Sequence, residues 1–147
     1  MKKRILTFAL LLAVVSYSFA GTNDGITKRA ISSFTKDFYG ATNIRWEQKR
    51  DFVLATFSMD NQIMFAYYSN EGELLGVARN ILSDKLPIPK LLSLKKNYAG
   101  YWISDLFEIN KNGETYYYVT LENADMKLTL KSGDLAAWTI YSRQAKE

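Results

Sequence analysis

A chain of 147 residues with 48% hydrophobic and 14% aromatic side chains is suited to folding around a core rather than staying disordered. It has no cysteine and no histidine, which removes disulfides, the usual zinc, copper and haem ligands, and any Ser-His or Cys-His catalytic arrangement. The formal charge of +4 comes from 19 Lys and Arg against 15 Asp and Glu, and three of the basic residues stand at the very start.

Those three, Lys2, Lys3 and Arg4, precede an almost continuously apolar run from Ile5 to Val15. The run is too short to span a bilayer comfortably, and the small residues Ser18 and Ala20 follow at the positions a signal peptidase reads. The pattern predicts a cleaved signal peptide at 1–20 and a periplasmic or secreted mature domain at 21–147 with no transmembrane segment. With no cysteine after the apolar run, lipoprotein anchoring is excluded. Without the leader, 16 basic residues face 15 acidic ones. The sequence pI of about 9.2 is therefore no footprint of nucleic-acid binding.

The first predicted helix runs over 27–39. Thr27 is its N-cap, Ile31, Phe34 and Phe38 form its buried stripe, and Gly40 stands at the C-terminal stop. Asn43 to Glu47, with Ile44 and Trp46, then supplies a strand. Further strands are predicted at 52–57, 62–69 and 74–79, separated by polar turns at 58–61 and 70–72. Leu86-Pro87-Ile88-Pro89 announces a second helix, with Leu91, Leu94 and Tyr98 facing the core and Gly100 ending it. Lys90, Lys95 and Lys96 are read as its solvated side. Four more strands are expected at 103–109, 115–121, 126–130 and 135–141, with Asn112-Gly113 forming a type I′ hairpin turn.

Ile31, Phe34, Phe38 and Gly40 have counterparts sixty residues on in Leu91, Leu94, Tyr98 and Gly100. Glu71-Gly72-Glu73-Leu74 has one 61 residues on in Ser132-Gly133-Asp134-Leu135. The correspondence predicts an α+β fold in which a helix followed by antiparallel strands occurs twice, over about 26–82 and 86–141, with both helices on one face of the sheet.

Strand alternation divides 115–122 into two sets. Thr115, Tyr117, Val119 and Leu121 form the core set, which leaves Tyr116 and Tyr118 on the open face. In the next strand Met126, Leu128 and Leu130 go inward, while Lys127, Thr129 and Lys131 point out. An aromatic and cationic surface of this kind suits a protein partner. Tyr116, Tyr118, Lys127 and Thr129 are the candidate binding residues, and Trp46, Trp102 and Trp138 are assigned to packing. The remaining carboxylates lie mostly in predicted turns, and neither a calcium loop nor a phosphate-binding glycine loop occurs.

The order and spacing of these segments resemble the bacterial PepSY-like proteins with a beta-lactamase-inhibitor-like fold. The resemblance rests on Phe38-Tyr39-Gly40-Ala41, Asn43-Ile44-Arg45-Trp46, the turn Asn70-Glu71-Gly72-Glu73-Leu74, Leu86-Pro87, and Asn97-Tyr98-Ala99-Gly100-Tyr101. It implies little about activity: the name-giving inhibitors bind a secreted enzyme through the open face of the sheet, and no catalytic residues carry over. The disulfides of the name-giving inhibitors have no counterpart here. The expected function is a non-enzymatic periplasmic module that binds an unidentified protein or peptide of the cell envelope, without metal or cofactor. The alternative is a small-molecule or envelope-component binder with an aromatic pocket between helices and sheet.

Overall fold

A computed structural model describes residues 25–146. The signal peptide expected at 1–20 lies outside the described residues. The elements run in the order α1 (Lys28–Asp37), β1 (Thr42–Gln48), β2 (Val53–Met59), β3 (Gln62–Tyr68) and β4 (Leu74–Asn80). After a 3-10 turn at Ser83–Lys85 come α2 (Ile88–Asn97), β5 (Trp102–Lys111), β6 (Glu114–Glu122), β7 (Met126–Gly133) and β8 (Thr139–Ala145).

The architecture corrects the expected α+β tandem repeat. The described residues form one eight-stranded antiparallel sheet in the order β1 to β8, with two ten-residue helices. There is no break where one repeat would end. Val77 to Asn80 of β4 pair directly with Asn110 to Phe107 of β5. The difference has a physical reason. A glycine-terminated apolar stripe needs only ten helical residues, and matching residue classes at a fixed offset also arise from strand alternation alone. Most of the buried apolar side chains belong to strands.

Local chemistry explains most element boundaries. The Thr27 hydroxyl accepts from the Ala30 amide at 3.3 Å and so caps α1. Asp60-Asn61 and Asn112-Gly113 all take positive φ, as two-residue type I′ hairpins require between right-twisted strands. Gly72, at φ +89°, turns β3 into β4 directly against the start of α1, where a Cβ would lie 2.9 Å from the backbone carbon of Arg29.

Both helices cover the same face of the sheet and bury separate clusters. Under α1, Ala30 and Phe34 pack with Val53, Ala55, Phe57, Ala66 and Tyr68. Rings of Trp46, Phe57 and Phe38 surround Phe34 at centroid distances of 5.1, 4.9 and 5.3 Å. The Tyr68 hydroxyl donates to Asp37 Oδ2 at 2.8 Å, tying β3 to the last turn of α1. Burial, that hydrogen bond and the Asp37 charge all push the Tyr68 phenol pKa up. Ile31, expected inside, is 36% exposed.

Under α2, Leu86 and Leu94 pack with Leu106, Tyr117, Val119, Leu121, Leu128 and Leu130. Between the two clusters runs a polar seam, in which Arg79 Nη2 meets Glu108 Oε1 at 2.7 Å. Among the described residues no helix is long and apolar enough to cross a membrane.

Candidate functional site

The face of the sheet opposite the helices carries its own continuous cluster. Tyr67, Ala78, Ile109 and Tyr118 are its buried members, with Phe52, Leu54, Phe65, Leu75, Phe107 and Tyr116 packed against them. Strand register builds it. Phe65 pairs with Ala78, Ala78 with Ile109, Ile109 with Tyr116, and Phe107 with Tyr118, so one side-chain row runs across β3 to β6. The rings meet edge to face: Phe65 and Phe107 at 5.9 Å, Tyr118 and Tyr141 of β8 at 5.4 Å.

The alternation expected for β6 holds. Tyr117, Val119 and Leu121 lie under α2, while Tyr116 and Tyr118 belong to the opposite face. Tyr118 is only 6% exposed, so it supports the surface more than it presents it. Tyr116 is half-buried, and its hydroxyl donates to Glu114. That bond pushes the Tyr116 phenol pKa up first, with burial and the Glu114 charge adding to it. On Tyr67 burial is the larger cause and the Glu47 charge the smaller, and together they push the phenol up to about 12.

The four expected binding residues do not form one constellation. Tyr116 and Tyr118 converge on Lys131, whose ammonium stands 4.8 and 5.6 Å from their ring centroids. Lys127 lies four residues away along β7, about 13 Å at the usual rise per residue. It faces Glu122 at 3.7 Å. Thr129 is 8% exposed and pairs with Thr120. Lys131 and Tyr141 are therefore the residues that complete the cationic, aromatic end of this face. Lys131 was legible from the alternation of β7. Tyr141 was not, because it occupies a register shift in the β7–β8 pairing.

Lys90 is a second correction. Far from belonging to a solvated helix side, it is 6% exposed. Its ammonium donates to Ser132 Oγ at 2.6 Å, Gly133 O at 2.6 Å and Ala136 O at 2.9 Å. It lies 5.7 Å from the ring centroids of both Tyr117 and Trp138. Burial pushes its pKa down, and Asp134 opposes that shift. Three acceptors call for three N–H donors, which only the protonated form supplies. The Trp138 indole closes the knot by donating to Lys90 O at 3.2 Å.

Between α1 and the sheet, the rings of Phe34, Phe38, Trp46 and Phe57 pack against one another. A separate cleft of about 370 Å³ lies where β4 and β5 diverge, lined by Asn80 to Ser83 and Ile103 to Leu106 without an aromatic residue. Among the described residues no group of three acidic, histidine or cysteine side chains could hold a metal ion.

No protein-family model and no curated protein matches the chain. Solved structures do. A protein of Bacteroides eggerthii described as periplasmic superposes with a TM-score of 0.72 at 11% identity, covering 81% of this chain and 88% of that one. A DUF2874 family protein of Bacteroides ovatus gives 0.71 at 14% identity, covering 86% and 89%. A BLIP-like protein of Bacteroides fragilis gives 0.67 at 19% identity, covering 81% and 85%. The fold is thus beta-lactamase-inhibitor-like, shared with uncharacterised Bacteroides proteins. None of these structures indicates an enzymatic family, and none bears on the PepSY-like part of the expected resemblance.

Proposed function

We infer that this chain is an exported, non-enzymatic binding module whose helix-free sheet face meets a protein or peptide of the cell envelope. One observation carries the reading. An aromatic surface continues from Phe65 to Tyr141 on the face opposite both helices and ends at a lysine seated over two tyrosines. Aromatic and cationic side chains of this kind supply most of the energy at protein interfaces. The BLIP-like neighbour and the neighbour described as periplasmic support an inhibitor-like module working outside the cytoplasm. The leader pattern at 1–20 supports the same location.

The test is a pulldown from periplasmic extract with the exported chain as bait, against a Tyr116→Ala/Lys131→Ala variant and a Tyr39→Ala control. Tyr39 is 89% exposed and follows α1, away from the proposed face. Partner recovery drops about tenfold for the double variant, as expected for loss of an interface anchor, and is unchanged for the control. Equal recovery by all three proteins would remove this face from the interaction.

A further inference from the structure

Helix α2 buries Leu94, with Leu91 and Tyr98 packed beside it, but leaves two further aliphatic side chains in solvent. Its lysine at position 90 is buried, yet Ile88 is 72% and Leu92 59% exposed. Four hydrogen bonds fix Lys90 to Ser132, Gly133, Ala136 and Trp138, and they hold this rotation together with the packing of Leu91, Leu94 and Tyr98. At 3.6 residues per turn, Ile88, Leu92, Lys95 and Lys96 fall within an arc of about 100° on the outer side. Leu82, just before the helix, is 73% exposed, and Leu135, inside the turn that accepts from Lys90, is wholly exposed. Residues 85–104 contain four lysines and no acidic residue, in a chain that is otherwise nearly balanced.

We propose that the outer side of α2 is a docking surface for a membrane bearing anionic phospholipid headgroups, with Ile88 and Leu92 entering the interface and Lys95 and Lys96 contacting the phosphates. Charge complementarity decides the occupant. Exposed lysines within one arc, with Asp84 the nearest acidic residue in sequence on the N-terminal side, fit a negative surface. Shape agrees. The arc is the convex outside of a helix, which a deformable lipid surface accommodates. Long lysine stems reach the headgroups while the branched chains at 88 and 92 sit deeper. The surface is separate from the aromatic sheet face, so the chain would hold its partner on one side while resting on a membrane with the other.

The exported chain, recovered from the periplasm of an expression host, is titrated with vesicles of phosphatidylcholine alone and of equimolar phosphatidylglycerol and phosphatidylcholine. Binding to the anionic vesicles and not to the neutral ones is expected, and it fades at high salt. Lys95→Ala/Lys96→Ala weakens it about thirtyfold, because each lysine removed takes away one attraction to the headgroup phosphates. Ile88→Ser/Leu92→Ser weakens it about tenfold. Both pairs are exposed, so circular dichroism should show an unchanged fold. Absence of binding to anionic vesicles at low salt, or equal binding by the parent and both double variants, would overturn the proposal.

Discussion

Replacing Lys90 by methionine should lower stability by about 3 kcal/mol, since the Gly133 and Ala136 carbonyls and the Ser132 hydroxyl all lose a charged donor. At the size of this domain that corresponds to a fall of about 10 °C in Tm. Methionine keeps most of the volume, so the loss reports on hydrogen bonding rather than on a cavity. Lys96→Met, on the exposed side of the same helix, should stay within about 0.5 kcal/mol of the parent. A Lys90→Met variant as stable as the parent would mean that the cost of burying the ammonium equals what its three acceptors return. Lys90 would then not be what sets the rotation of α2, and the exposed arc of Ile88 and Leu92 would need another origin.

Phe34→Ala should be the most damaging core truncation, at about 4 kcal/mol. Phe34 is 2% exposed and its ring is the hub where Phe38 and Trp46 meet the Phe57 and Tyr68 rings of the sheet. Its removal leaves α1 attached through Ala30, the Phe38–Phe57 ring contact at 4.7 Å and the Tyr68–Asp37 hydrogen bond. Chemical denaturation measures the loss, and near-ultraviolet circular dichroism should weaken as Trp46 loses its fixed neighbour. Phe34→Leu, which fills much of the space, should cost roughly 1–2 kcal/mol. A cost below about 1 kcal/mol for the alanine variant would show that α1 is held elsewhere.

Much of the local structure was readable in the sequence because its determinants are local. Thr27 as a cap and Asn112-Gly113 as a hairpin need no knowledge of distant residues. The division of β6 into Tyr117, Val119, Leu121 and the opposite set follows from alternation alone. What failed depended on contacts far apart in the chain. Lys90 looks solvated because its acceptors lie more than forty residues later. The last strand was expected at 135–141 and forms at Thr139–Ala145. Residues 134–137 are drawn off into the turn that receives Lys90, which leaves Leu135 in solvent. The two-repeat reading failed for a related reason, since pairing of β4 with β5 is a long-range event that no residue pattern announces. At the candidate site, alternation placed Tyr116 and Tyr118 opposite the helices, but grouping Lys131 with them required the β6–β7 register.

The central claim, that the helix-free face is where a partner sits, is tested most directly by oxidative footprinting of tyrosine side chains. The chain is labelled alone and in its partner complex, and modification is read by mass spectrometry. Tyr116 and Tyr141 should be modified in the free chain and protected in the complex, while Tyr39, 89% exposed after α1, is modified equally in both. Protection of Tyr39 with no change at Tyr116 and Tyr141 would place the partner elsewhere and contradict the claim.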